Sequence, residues 1–505
     1  YTGYLTHGLT YEANGLANAA IARVIASPYV DFLCSPICYD ERLLGMSASY
    51  MMMVDSLITA GKLPIIECDS RTVYFDSKTT SPALLGEWGK TYTLKDSVEA
   101  LKRDFSNMMI KGAGLWWYDM YGGWFDDPEI YSMIKAAKAE WDKAIQKPVR
   151  SNSKIAYVIG DDIATTLAYS FDGTYHFLYE ALYEQKESLG HIGTSYDMLY
   201  LSDIEDGFAR EYDVYLILAT NVTEKQKAAI NKYLKKDGKT ILWVGVPGIY
   251  GSDGTMSVDY VSALTDITLA KAPTSYYGIR IVGNETYTKG LDGKLYGWIN
   301  STKVDPMFYV NDRAAETLGK IYNSDLTGLA VKAVETEDGG YYMSIYSAVG
   351  NIPEELLRNI LRICGVKLVE SENDVVFRNN TYVSIASPYG GKKTIEFDGK
   401  VDVYDVFKGV YIARNVSKVE VETEAGTTLL LRTEKHSANP DKPDKPDKPD
   451  ESSGESGSSE KPDSGNDSGD KNGGCWLAMT FGSALGLLAA IAATVVIAMK
   501  KRKED

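Results

Sequence analysis

Glu67 is the residue whose position in the sequence most clearly indicates chemistry. Residues 63–68 read LPIIEC, and because alternate side chains of a β-strand point to the same face, Glu67 ends a row of side chains on one face. In a parallel barrel, a carboxylate at the end of a lumen-facing row occupies the place of a glycosidase nucleophile. The competing interpretation is a structural carboxylate that forms an ion pair with Arg71 or Arg42.

Three tryptophans near the later strand ends are candidate platforms for a sugar, because flat aromatic faces stack on the apolar face of a pyranose. Trp116 and Trp117 are adjacent in a predicted strand, so only one of them can face the same side as Glu67. Trp124 follows on a predicted loop. For each of these tryptophans, packing in the barrel core is the alternative.

Polar side chains also fall at the predicted strand ends, namely His7, Tyr39, Arg42 and Asp119. They are candidates for hydrogen bonds to sugar hydroxyls or for orienting Glu67. Arg42 and Arg71 have a simpler alternative role, which is to neutralise nearby acids.

Cys34, Cys38 and Cys68 lie on or beside adjacent predicted strands, which raises the hypothesis of a zinc site. Their spacing is loose for zinc and the sequence offers no evident fourth ligand. We therefore predict buried thiols, no metal and no other cofactor. With 5 cysteines in 505 residues, the chain relies on its cores rather than on a disulfide framework.

Alternating strands and helices must position these residues, and residues 1–150 carry that alternation. Apolar strand segments lie at 3–7, 30–35, 62–67 and 113–119, with amphipathic helical segments between them. Before the last strand, Asp96 precedes Glu99 by three residues, a capping-box spacing that marks a helix start. About four βα units fill this region, while a whole barrel needs roughly 250 residues. The sequence predicts an α/β fold that begins with the C-terminal half of a TIM (β/α)8 barrel.

Several short motifs follow one another in this region in an informative order. They are Ser35-Pro36 with Tyr39 and Arg42, Asp55-Ser56, Gly61-Lys62, Glu67, Asp69, Arg71-Thr72, residues 114–119 (GLWWYD) and Gly123-Trp124-Phe125. Together they resemble the β-galactosidase-like glycoside hydrolases of the family 42 type. The resemblance extends over most of residues 1–435.

This resemblance implies that Glu67 is the nucleophile of a retaining reaction, in which a glycosyl-enzyme forms and water then hydrolyses it. It also implies that Asp69 and Arg71 belong to the substrate-binding residues. The second carboxylic acid, about 5 Å away, comes in this family from the fourth strand, which is not in this sequence. Glu12 and Glu41 follow later strands, so neither is assigned that role. Without the proton donor, we expect these residues alone to be inactive.

Two further domains are predicted after the barrel half. Residues 151–365 again alternate strands and helices, which predicts a doubly wound α/β domain, and one of its helices begins with a capping box of Thr223 and Gln226. Residues 366–435 carry short alternating strands, which predicts a small β-sandwich.

Motifs at 181–193 and 239–248 resemble the amidotransferase-like trimerisation domain of the same hydrolases. A working amidotransferase needs a nucleophilic cysteine, and the sequence has none between Cys68 and Cys364. We therefore expect this domain to be non-catalytic. The resemblance implies a homotrimer.

The C-terminal residues predict a tethered protein. Asp-Lys-Pro repeats and Ser, Gly and acidic residues at 436–474 are typical of a disordered stalk. Residues 475–499 are an uncharged apolar stretch long enough to cross a bilayer as a transmembrane helix. The basic tail at 500–505 is expected in the cytoplasm, which leaves the bulk of this single-pass protein of the cell membrane outside the cell.

Such a topology requires export, yet the sequence begins at Tyr1 without a methionine or a signal peptide, so we expect a further N-terminal part. The net charge of −16 argues against nucleic acid as a partner. The leading hypothesis is a surface-anchored retaining glycoside hydrolase, β-galactosidase-like, that cleaves terminal bonds of external oligosaccharides or glycans. The alternative is a non-catalytic, membrane-tethered carbohydrate-binding or scaffold protein.

Overall fold

The computed structural model describes residues 20–75, 89–120, 122–147, 151–167, 177–205, 207, 210–297, 304–371 and 373–436. The predicted strand at 3–7, the stalk from residue 437 onward and the predicted membrane helix at 475–499 lie outside these ranges. Among the described residues, no helix combines the length and the apolar character needed to cross a membrane.

Parallel strands and helices alternate in the described part of the first 150 residues, as predicted. The strands β1 (Phe32–Pro36), β2 (Leu63–Cys68) and β3 (Gly114–Trp117) lie side by side in that order. The helices are α1 (Ile21–Ile25), α2 (Val54–Thr59), α3 (Leu94–Lys111) and α4 (Pro128–Ala144), with a short 3-10 turn at Tyr39–Glu41. The predicted α/β class is confirmed.

Helix α3 begins earlier than the capping-box spacing predicts. Its N-cap is Thr93, whose side chain accepts the backbone N–H of Asp96 at 3.1 Å. Glu99 is instead buried within the helix and accepts the backbone N–H of Thr428 at 2.6 Å. Gly112, with φ 73°, ends the helix in the left-handed conformation. The predicted start is therefore wrong by about one turn, because a better cap stands three residues upstream.

The second sheet has nine strands in the described residues, in the order β10-β9-β12-β13-β14-β7-β6-β4-β5. Its parallel strands are β4 (Ile155–Ile159), β5 (Tyr196–Tyr200), β6 (Val214–Leu218), β7 (Thr240–Val244) and β14 (Tyr341–Ser347). Its antiparallel strands are β9 (Ile279–Ile281), β10 (Leu295–Tyr296), β12 (Glu316–Ile321) and β13 (Thr327–Glu335). A separate pair is formed by β8 (Leu269–Lys271) and β11 (Phe308–Val310).

This sheet is mixed, whereas the sequence predicts a parallel one. Its antiparallel half exists because β12, β13 and β14 are joined by turns of a few residues, which are too short for a parallel crossover. The helices around it are α5 (Ile163–Thr166), α6 (Gln185–Gly190), α7 (Glu224–Ala229), α8 (Val258–Thr265) and α9 (Glu354–Ile363). π-helical turns at Tyr179–Glu184 and Ile230–Leu234 adjoin α6 and α7, and a 3-10 turn spans Leu201–Ile204.

The predicted capping box of α7 is confirmed. The Thr223 hydroxyl accepts the backbone N–H of Gln226 at 3.2 Å, and the Gln226 side chain accepts the backbone N–H of Thr223 at 3.0 Å. This local motif therefore determines where the helix begins.

The last described strands form one five-stranded antiparallel sheet, where the sequence predicts a small β-sandwich. They are β15 (Val375–Arg378), β16 (Tyr382–Ser387), β17 (Gly391–Asp405), β18 (Val410–Thr423) and β19 (Thr427–Lys435), in the order β15-β16-β19-β17-β18. Register shifts interrupt the long pair β17–β18, and buried residues of this sheet form an apolar cluster of their own. The domain boundaries given above stay predictions.

Candidate active site

The sheet of β1, β2 and β3 has two unlike faces. We call the face that bears Glu67 the Glu67 face, and Pro36 and Trp116 flank Glu67 there as its partners in the parallel register. On the opposite face, Ile66 and Cys68 are fully buried, and Leu115 and Trp117 are half-buried. On the Glu67 face, in contrast, Leu63 is 48% exposed and Trp116 is 44% exposed. The helices therefore cover the other face, and Glu67 points to the side that would be the lumen of a barrel.

Glu67 lies at the last but one position of β2 and is 4% exposed. Its charge acts on Cys34, whose own neighbour across the sheet is Ile65 on the same face. Burial first, and then the charge of Glu67, raise the pKa of Cys34 to about 11. A neutral thiol therefore lies beside the carboxylate. The sequence analysis did not predict this neighbour, although the alternation of side chains along β1 places Cys34 on the Glu67 face.

Trp116 and Trp117 point to opposite faces. Trp116 shares the Glu67 face, and its ring lies 4.5 Å from that of Tyr118, centroid to centroid. Trp117 instead packs edge-on against Phe125, with ring centroids 6.1 Å apart. Trp116 is thus the tryptophan of this pair that is placed for stacking on a ligand near Glu67.

Arg42, Asp69 and Tyr39 form a buried cluster next to the ends of β1 and β2. Arg42 donates to the Asp69 carboxylate, to the Asp69 carbonyl at 3.0 Å and to the Ile37 carbonyl at 2.8 Å. Its guanidinium carbon lies 4.2 Å from the centre of the Tyr39 ring. Burial opposes the charge of Arg42, but Asp69 and Tyr39 outweigh it and raise the pKa of Arg42. The contacts of Arg42 and Asp69 are therefore those of a structural ion pair that holds two strand ends together.

Arg71 is buried nearby and its guanidinium carbon lies 5.3 Å from the centre of the Phe75 ring. Burial, and then repulsion from Arg42, lower the pKa of Arg71. Two buried guanidinium groups thus share one region with Asp69 and Tyr39.

Trp124 is 2% exposed and packs edge-on against Phe75, with ring centroids 5.2 Å apart. Its backbone N–H donates to the Asp119 carboxylate at 3.1 Å, and Thr72 donates to its carbonyl. The contacts of Trp124 and Asp119 therefore stabilise a loop after β3. His7 lies outside the described residues, as does Glu12.

The three cysteines of the zinc hypothesis do not form a cluster. Cys34 lies on the Glu67 face, while Cys68 lies on the opposite face, 3.7 Å from the hydroxyl of Ser70. Cys38 follows β1 and contacts Lys186 of α6. The described part of the chain contains no group of His, Cys, Asp or Glu side chains arranged to hold a metal ion.

In β/α barrels the active site lies at the C-terminal ends of the parallel strands, which is where the described residues place the Glu67 carboxylate and the exposed Trp116 indole. No family model matches the sequence, and no curated protein is significantly similar to it. The structure of this chain is similar to several solved structures. The β-galactosidase from Rahnella sp. R3 is 11% identical, with 82% of this chain and 61% of that chain covered and a TM-score of 0.54. The β-galactosidase from Bacillus circulans sp. alkalophilus is 12% identical, with 80% and 63% covered and a TM-score of 0.52.

A GH42 β-galactosidase from G. stearothermophilus is 11% identical over 75% of this chain and 55% of that chain, with a TM-score of 0.49. The chain thus spans 61% and 63% of the lengths of the first two enzymes. At these identities the likeness establishes the fold. The chain shares the fold of these two β-galactosidases, which confirms the predicted resemblance at the level of fold.

Proposed function

We propose that this chain is part of a surface-anchored retaining glycoside hydrolase that removes terminal β-galactosides from external oligosaccharides or glycans. The observation that carries the proposal is the position of Glu67, near the end of a parallel strand and on the face that the helices leave uncovered. A nucleophile of this reaction must face the sugar from a strand end.

The surroundings of Glu67 support this role. Trp116 offers an exposed aromatic ring next to Glu67 on the same face. Arg42 has Asp69 as its buried ion-pair partner, while a structural role for Glu67 beside Arg71 or Arg42 stays the alternative. The fold similarity to two β-galactosidases favours a β-galactoside as the sugar.

Three parts of the proposal rest on sequence alone. The general acid is proposed from the resemblance, which places it on the fourth strand of the barrel, and no residue of this sequence is assigned to it. The anchor is proposed from the apolar run at 475–499 and its basic flank. The homotrimer is proposed from the resemblance of the second domain.

The first test examines the nucleophile independently of the general acid. A dinitrophenolate leaving group departs without protonation, so a dinitrophenyl 2-deoxy-2-fluoro-β-galactoside needs only the nucleophile to form a covalent adduct. We expect mass spectrometry to locate the fluorosugar on Glu67. Glu67→Gln should not be labelled, while Glu129→Gln, at an exposed acid of α4, should be labelled like the wild type.

A panel of nitrophenyl glycosides then identifies the preferred sugar. An adduct on a carboxylate other than Glu67 would disprove the assignment of the nucleophile. If no adduct forms and glycan arrays show binding that survives Glu67→Gln, the chain is a tethered carbohydrate-binding protein instead.

A further inference from the structure

Lys186 and Cys38 make an unusual buried contact between two parts of the chain. Cys38 follows β1, and Lys186 belongs to α6 beside the second sheet. The ammonium nitrogen of Lys186 lies 2.8 Å from the sulfur of Cys38, and both side chains are 0% exposed. That separation is normal for an N–H···O hydrogen bond. Sulfur is larger than oxygen, so this nitrogen and sulfur are unusually close.

The other neighbours of Lys186 make this contact more informative. Glu41 is buried as well, and its Oε1 atom has no hydrogen-bond partner among the described residues. The other carboxylate oxygen of Glu41 accepts from the Ser47 hydroxyl and from the backbone N–H of Ser49 at 2.9 Å. A buried ammonium group is expected to approach the free oxygen of a neighbouring carboxylate, because buried charges need close partners. The nitrogen is nevertheless 3.8 Å from Glu41 and a full ångström closer to the sulfur. It also donates to the carbonyl of Tyr50 at 3.3 Å.

We propose that Cys38 and Lys186 are a site of oxidative modification, at which dioxygen joins the two side chains through a sulfur–oxygen–nitrogen bridge. One oxygen atom bonds to both Sγ and Nζ. The thiol hydrogen and one amine hydrogen leave with the other oxygen atom as water. Sulfur and nitrogen each give up two electrons, and the two oxygen atoms accept four. A third hydrogen on the ammonium group is released as a proton.

The described residues favour this pair over the other cysteines. Cys68 contacts Ser70 and Asp104, and Cys364 contacts Thr240. Within the described part of the chain, neither has a hydrogen bond to a lysine. Among the cysteines of the described residues, the bridge is therefore expected at Cys38.

The environment also determines the rate. Burial raises the pKa of Cys38 to about 11, although Lys186 opposes this effect. The thiol is therefore protonated and protected from fast attack by peroxide, since the thiolate is the reactive form. We expect the bridge to accumulate slowly in air. It would tie the loop after β1, which the Arg42 side chain also contacts through the Ile37 carbonyl, to helix α6.

The test is peptide mass spectrometry on the full chain, kept in air or without oxygen and then alkylated in denaturant. Trypsin releases residues 24–42 as one peptide that holds both Cys34 and Cys38. We expect this peptide linked to one that contains an uncleaved Lys186, heavier than their sum by one oxygen atom less two hydrogens. Fragmentation assigns the link to Cys38, and dithiothreitol should remove it.

Matched variants complete the test. Lys186→Arg and Cys38→Ser should lack the cross-link, while Cys34→Ser should keep it. The melting temperature of air-exposed wild type should fall by roughly 2–5 °C on reduction, as for loss of a long-range cross-link, and that of Cys38→Ser should not. A link without the extra oxygen, a link to Cys34, or two fully alkylated cysteines after long exposure to air would each overturn the proposal. The result is independent of any glycosidase activity.

Discussion

The substitution Lys111→Met tests whether a buried charge cluster holds the first sheet and the second together. Lys111, at the end of α3, donates to both carboxylate oxygens of Asp55 at 3.1 and 3.0 Å and to Asp197 of β5 at 3.1 Å. Asp197 also accepts bonds from Arg210 and Tyr212. Among the described residues, the other hydrogen-bond donor to Asp55 apart from Lys111 is the backbone N–H of Met198, at 2.8 Å. Asp55 is therefore the acid that depends most on Lys111.

The size and the sign of the effect follow from the pKa of Asp55. Burial, and then Asp197, raise this pKa from 3.8 to about 6 even with Lys111 present. The pKa of Asp55 is higher in the folded protein than in the unfolded chain. The stability that Asp55 contributes is therefore fully present below about pH 4, and it is lost as the pH rises through the folded pKa. Without Lys111 the folded pKa rises further. The free energy of unfolding of the variant should then fall by about 1.4 kcal/mol more than that of the wild type for each pH unit above 6.

We expect Lys111→Met to cost about 3–5 kcal/mol at pH 8, as for a buried ion pair that loses one partner. The cost should be clearly smaller at pH 5.5, where Asp55 is largely protonated in both proteins. Urea denaturation at the two pH values measures this. The control is Lys138→Met, which removes an exposed pair with Asp142 on α4 and should cost less than about 0.5 kcal/mol. Equal costs of Lys111→Met at both pH values would refute the reasoning.

Three further predictions concern other parts of the chain. Arg432→Met removes two hydrogen bonds of 2.6 and 2.7 Å from buried Glu140, so we expect a loss of about 2–4 kcal/mol in urea denaturation, and an unchanged midpoint would contradict this. Gly112→Ala should cost about 1 kcal/mol, because φ at this position is 73° and alanine is strained there; a stabilised variant would show that the end of α3 rearranges. Trp116→Ala should leave stability almost unchanged but weaken galactoside binding about tenfold in fluorescence titrations, and tight binding by the variant would exclude stacking on this ring.

Much of the fold was predictable because its signals are local. The capping box of Thr223 and Gln226 lies within one helical turn, and the strands β1, β2 and β3 lie within or beside the apolar segments predicted for them. Where two local signals overlap, prediction is harder. Thr93 and Asp96 both offer a cap for α3, and the structure uses the first of them.

The candidate site was predictable only in part. The alternation of side chains along β2 places Glu67 on one face of the sheet. It does not show which face the helices cover. That choice belongs to packing, and it decides that Trp116 is exposed near Glu67 while Trp117 packs against Phe125. The burial of Trp124, expected on a loop, has the same origin, because a loop that folds back on Phe75 buries its own aromatic ring.

The sequence by itself determined the α/β class, the alternation of strands and helices in the described part of residues 1–150, and the carboxylate at a strand end, because these follow from periodicity and local hydrogen bonding. The tertiary structure alone decided that the second sheet is mixed and which charges meet. Lys111 reaches Asp197, and Lys186 reaches Cys38, across long stretches of chain. Contacts of this kind have no periodic signature, since they arise only when separately formed layers pack and each buried charge must find a partner.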